Sequence, residues 1–239
     1  MSVVDNVVER HPLQRMASPS RQASFVLHLL GILSFSLSFK FLVDNPNPAN
    51  ESYGWHFQYL TIIGLALAYM TFVVGVLADI TSSRSLFLVK NALLFCSAPL
   101  ETLISILYWS LRIIDKRLVL PEWGEMDPVA DIGFHAIPSL LLATDMLFFS
   151  PPWTLGTLPA MGISVVIAFA YWFWIEACYQ QNGWYPYPIF ELATTSQRIT
   201  LFLGSAALMT LSASLLSFVY HRVNGSGLER PGNIKPKRT

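Results

Sequence analysis

The chain predicts an all-α polytopic membrane bundle of six transmembrane helices, and three observations carry that prediction. Of its 239 residues 53% are hydrophobic and only 13% are charged, about half the roughly 25% charged share of a soluble domain. Mean hydropathy is +0.47. The apolar residues also fall in blocks of the roughly 20 residues an α-helix needs to cross a bilayer. Formal net charge is zero, and no basic stripe points to nucleic acid as a partner.

Taken in order, residues 1–23 are a polar leader carrying Arg10, Arg15 and Arg21. The leader is long for a signal peptide and shows no small-residue cleavage site, so the first span reads as a retained anchor. Spans are expected at 24–43, 57–80, 87–111, 128–149, 158–180 and 199–220. Between the first two, "VDNPNPANESYG" (43–54) is turn chemistry, because Pro and Asn block regular structure. "NGWYPYPIFE" (182–191) reads as an interfacial cap, since Trp and Tyr favour the headgroup zone. The six spans form one domain, 24–220, followed by a basic tail, 221–239. Cys96 and Cys178 both lie in apolar segments and read as packing residues, not a disulfide.

Orientation follows the distribution of Lys and Arg. With a cytosolic N-terminus, ten basic residues fall inside: Arg10, Arg15, Arg21, Arg84, Lys90, Arg222, Arg230, Lys235, Lys237 and Arg238. Five fall outside: Lys40, Arg112, Lys116, Arg117 and Arg198. Both termini are therefore expected in the cytosol. The sequon "NES" (50–52) then lies on the lumenal side, and the C-terminal "KPKRT" resembles a dilysine retrieval signal. Together these make the endoplasmic reticulum the expected membrane.

Ionisable groups inside spans are costly and tend to face a cavity, a partner or a substrate path. In the fourth span Asp131 and His135 are four residues apart, one turn on nearly the same helix face. A carboxylate there could hold one imidazole nitrogen and leave the other as a base. The alternative is a packing histidine bonded to a neighbouring carbonyl. In the second span Thr61, Gly64, Ala68, Thr71 and Gly75 form a stripe of small side chains that turns Thr61 toward the bundle. Counted from the outer side, Thr61 and His135 differ in depth by three residues, about 4.5 Å of rise. That permits a Thr nucleophile with a His base, although most membrane threonines bond back to their own helix.

Glu101 and Glu176 are weaker candidates for the same cavity, with pairing to a neighbouring hydroxyl or amide as the alternative. Asp145 is rotated about 80° from His135 and lies about 15 Å further along the axis. Asp131, His135 and Asp145 therefore do not share an ion. No metal or other cofactor is expected, and G-x-S-x-G, H-E-x-x-H and Walker motifs are absent.

Several stretches resemble one family in order and spacing. They are "YLT" (59–61), "SAPLETLISILYWSLRIIDKRLVLPEW" (97–123), "FHAIPSLLL" (134–142) and "YWFWIEACYQQNGWYPYPIFE" (171–191). Together they resemble the androgen-induced and androgen-dependent transmembrane proteins, the FAR-17a relatives, over about 55–220. The resemblance implies a multi-helix membrane fold and hydrolysis of fatty acid esters of hydroxy fatty acids. By the same resemblance Thr61 is the nucleophile and His135 the base. The tryptophan expected four residues before the threonine is Phe57 here, with Trp55 two residues earlier. A lipid ester entering from the bilayer is then the expected partner. Tyr59 and groups at the outer mouth are the candidate oxyanion donors, and Asp131 has an orienting role. The competing expectations are a non-enzymatic lipid-binding regulator or small transporter, and acyl transfer to an alcohol instead of water.

Overall fold

Residues 11–121, 123–152 and 156–225 are described by the structure, a computed structural model. Residues 1–10 of the leader and most of the basic tail, with "KPKRT", lie outside the described residues. Six helical spans are long and apolar enough to cross a membrane, and no strand occurs among the described residues. The first three are α1 (Ala23–Asp44), α2 (Leu60–Thr81) and α3 (Arg84–Ile114). The fourth is broken into α4 (Pro128–His135) and α5 (Ile137–Phe149). Then come α6 (Thr157–Asn182), a single turn α7 (Ile189–Leu192), and α8 (Thr195–Asn224).

Local chemistry sets the ends. The Ser83 hydroxyl accepts from the Leu86 amide to start α3, and Asp127 accepts from the Val129 amide, with Pro128 following, to start α4. Thr194 and Gln197 form a reciprocal capping box at α8. Gly183, at φ 75°, closes α6 in the left-handed conformation. The break between α4 and α5 falls at Ala136, with φ −130° and ψ −47°. Pro138 causes it, because it has no N–H to give the Phe134 carbonyl and its ring crowds that turn. The expected fourth span, 128–149, keeps its limits but is two helices with His135 at the joint.

The stripe on α2 is buried along its length, from Thr61 to Gly75. It serves two neighbours. A Cβ on Gly64 would fall 2.6 Å from Glu101 Oε1 and from Ile104 Cδ1 on α3, whereas one on Gly75 would meet the His28 ring of α1 at 2.8 Å. Leu29, Leu30, Leu33 and Leu37 of α1 point outward, the expected solvent face for a helix in lipid. Residues 11–22 are packed beneath the bundle, with the Met16 amide donating to the Phe148 carbonyl at 2.9 Å. The Arg15 guanidinium reaches the Val223 carbonyl, so both described ends of the chain meet at one end of the bundle.

That end holds a cluster of four ionisable side chains, each 0–1% exposed. His28 Nδ1 lies 2.6 Å from Asp79, and its Nε2 lies 3.1 Å from Asp145. Lys90 donates to Asp145 at 2.8 Å and to the Ser150 hydroxyl at 2.9 Å. The Ser24 hydroxyl and the Ser20 amide each donate to Asp79 at 2.8 Å. Asp145 is thus joined to α1 and α3, far from Asp131 in the contact network. Lys90, counted above among the inner-side charges, is a buried partner and not a loop charge. A neutral imidazole has one N–H, yet both ring nitrogens of His28 face carboxylate oxygens. The arrangement needs one further proton on the ring or a carboxyl, and with it the four groups sum to zero charge.

Candidate active site

Thr61 is the second residue of α2, so its amide is one of the four helix-start donors without an intrahelical acceptor. The amides of Ile62 and Ile63 instead reach the Tyr59 carbonyl at 3.1 and 3.2 Å. The Tyr187 hydroxyl lies 3.4 Å from the Thr61 nitrogen and 3.2 Å from Thr61 Oγ1. Tyr187 comes from the "YPYP" segment. Gly183 turns the chain, Tyr185 stacks on Tyr179 and hydrogen-bonds Glu176, and Phe190 stacks on Phe202 of α8. The segment read as an interfacial cap therefore packs into the bundle, burying Tyr185 and Phe190 and bringing the Tyr187 hydroxyl to Thr61. Burial pushes the Tyr187 phenol above its ordinary pKa, so its oxygen keeps its proton.

His135 is held on three sides. Its Nδ1 lies 2.9 Å from Asp131 Oδ1 and 3.0 Å from the Asp131 carbonyl. Its ring stacks on Tyr108 at a centroid distance of 3.4 Å and an angle of 3°. The helix break frees its carbonyl, which accepts from the Trp109 indole at 3.3 Å. Asp131 in turn accepts from the Tyr108 hydroxyl at 2.5 Å and pairs with Arg112. The two recorded imidazole bonds both involve Nδ1, which assigns that nitrogen as the donor and leaves Nε2 as the acceptor.

Two cavities meet at these residues. One, of about 330 Å³, is lined by both Thr61 and His135, together with His56, Tyr59 and loop residues such as Asn47 and Trp123. The other, of about 120 Å³, is almost wholly apolar and runs between α2, α3, α6 and α8 past Leu100, Ile104, Ile167 and Phe202. Thr61, Tyr108, Val119 and Tyr187 line both. No hydrogen bond joins Thr61 to His135 directly.

The remaining candidates fall as follows. Tyr59 lines the larger cavity, and its buried hydroxyl has no hydrogen-bond partner among the described residues. Glu101 is buried beside Gly64, its Oε1 has no partner among the described residues, and it lines neither cavity. Glu176 also lines neither; it accepts from Tyr185, Trp172 and Arg198 at the loop end of the bundle. Asn50 of the sequon is tied into its own turn, accepting from the Asn47 amide at 2.8 Å. Sequence reasoning missed Tyr108, Arg112, Tyr187 and His56. Tyr108 and Arg112 carry a signal in the sequence, an i, i+4 polar pair at the C-terminal end of α3.

A family model described as FAR-17a/AIG1-like protein matches residues 23–221. The chain belongs to the FAR-17a/AIG1-like family. It is also 37% identical over 207 residues to a UPF0641 membrane protein of Schizosaccharomyces pombe, covering 85% of this chain and 92% of the relative. No solved structure matches the chain. The FAR-17a/AIG1-like match takes in both cavities and all six spans, and it stops just short of the described end of α8.

Proposed function

We propose that this family member is an intramembrane lipid-ester hydrolase with Thr61 as nucleophile and His135 as base. One observation carries the reading. A single cavity of about 330 Å³ is lined by Thr61 and by an imidazole whose Nδ1 is committed to a buried carboxylate. Nε2 of His135 takes the Thr61 proton, Oγ1 attacks the ester carbonyl, and the imidazolium returns the proton to the leaving alkoxide. Water, activated by the same nitrogen, then releases the acyl group. Direct contact between Thr61 and His135 is not required beforehand, because catalytic hydrogen bonds often tighten only with substrate bound. Fatty acid esters of hydroxy fatty acids are the substrate class the family resemblance suggests, with the narrow apolar cavity suited to an alkyl chain.

The reading includes cytosolic termini in the endoplasmic reticulum membrane. With Lys90 buried, nine basic residues against five still favour that orientation. The "NES" sequon and "KPKRT" support that location. The test is turnover of such esters by purified protein in nanodiscs, beside labelling by a fluorophosphonate probe. Thr61→Ala and His135→Ala are each expected to abolish both signals. Equal turnover by Thr61→Ala removes Thr61 from the mechanism. Lipid binding by the wild type without any turnover favours the non-enzymatic reading, for which the missing Thr61–His135 hydrogen bond already speaks.

A further inference from the structure

Attack on an ester carbonyl moves an electron pair onto the carbonyl oxygen, and that oxygen needs a donor already in place. The one side-chain hydroxyl recorded within hydrogen-bond distance of both Thr61 Oγ1 and the Thr61 nitrogen, among the described residues, is that of Tyr187. The Tyr187 hydroxyl stands 3.2 Å from Thr61 Oγ1 and 3.4 Å from the Thr61 nitrogen. It therefore borders the space that a carbonyl carbon bonded to Oγ1 would occupy, on the side where the Thr61 N–H also points. The free start of α2 adds a partial positive charge at the same place.

We propose that Tyr187 is a catalytic residue of the Thr61 reaction, its hydroxyl donating to the carbonyl oxygen as that oxygen becomes an oxyanion. The assignment rests on the proposed Thr61 nucleophile. When the Oγ1–C bond forms, the π pair of the carbonyl goes to oxygen, and the Tyr187 O–H turns from Oγ1 to that oxygen without giving up its proton. When the intermediate collapses, the pair re-forms the C=O bond, the C–O bond to the alcohol breaks, and the His135 proton goes to the alkoxide. Tyr187 ends each half-reaction as it began. Three features hold it in place: Pro186 and Pro188 on either side, the edge-to-face contact with Tyr59 at 5.5 Å, and the Phe190 amide bonded to the Tyr187 carbonyl at 3.0 Å. Tyr59, whose hydroxyl has no partner among the described residues, supports the Tyr187 ring in this arrangement and makes no side-chain hydrogen bond to Thr61.

The experiment compares wild type, Thr61→Ala and Tyr187→Phe in nanodiscs with one ester substrate. Tyr187→Phe is expected to lower kcat by about 100-fold or more while KM changes little, the pattern of a donor used only in the transition state. A trifluoromethyl ketone analogue, which Thr61 would capture as a tetrahedral oxyanion, is expected to lose inhibition by the same factor as kcat/KM. Retention of kcat within about threefold by Tyr187→Phe, with Thr61→Ala inactive, overturns the role of Tyr187 and leaves Thr61 standing. Full activity of Thr61→Ala overturns the underlying reading instead. If Tyr187→Phe does not fold, 3-fluorotyrosine at position 187 keeps the shape and changes only the acidity of the hydroxyl. A kcat change beyond about twofold at constant KM is then expected, and an unchanged kcat overturns the proposal.

Discussion

His135 shows how a single residue acquires direction from its surroundings. An imidazole in lipid has two equivalent-looking nitrogens until something claims one of them, and Asp131 claims Nδ1 at 2.9 Å. Tyr108 and Arg112 hold Asp131 in turn, so the carboxylate is fixed in one orientation. Replacing Asp131 by Asn keeps the shape and removes the charge. By the logic of orienting carboxylates, kcat is expected to fall by about two to four orders of magnitude with KM little changed. Turnover in nanodiscs beside the unfolding midpoint checks this, and a kcat unaffected by Asp131→Asn removes the orienting role.

At the scale of the helix, close approach depends on missing atoms. A Cβ on Gly31 would lie 2.1 Å from Cδ1 of the fully buried Phe72, so α1 and α2 pack at glycine distance there. Gly31→Ala is expected to destabilise by about 1–3 kcal/mol. Gly162, with nothing within 4 Å of an added Cβ, is the control. Its alanine variant is expected to be neutral or up to about 1 kcal/mol more stable, because glycine is the poorer helix former. Thermal unfolding of the two variants in one detergent compares them.

The spans themselves were legible in the sequence, because apolar blocks of the right length leave few other choices. The helix break was written there as Pro138, but one apolar block conceals a break that does not interrupt its hydropathy. Tyr187 was not legible. Nothing local distinguishes it from Tyr185 two residues earlier, and its neighbour Thr61 is 126 residues away. The partners of Asp145 were hidden for the same reason, since they come from α1 and α3.

For the molecule as a whole, the two ends of the bundle divide the labour. The loop end is hollow and carries the candidate chemistry, whereas the end with the termini is filled by the His28, Asp79, Lys90 and Asp145 cluster. A buried ion pair broken on one side leaves a lone charge, which costs about 3–5 kcal/mol, whereas exchanging both partners for apolar residues is often nearly neutral. Lys90→Met is therefore expected to destabilise by roughly that amount, and Lys90→Met combined with Asp145→Leu to recover most of it. Unfolding midpoints of the single and double variants measure the difference. A single variant as stable as the wild type would show that the pair carries no weight.

The same cluster bears on how the chain enters a membrane. Helices α1 to α3 emerge from the ribosome first, and at the depth of the cluster they bring Asp79 and Lys90, whose charges cancel. Helix α5 arrives later with Asp145, a negative charge that is costly inside a bilayer without a partner. Its place is between Lys90 and His28. Docking of α5 therefore gives Asp145 the partners it lacks alone, and integration of the fourth span is coupled to assembly with the first three.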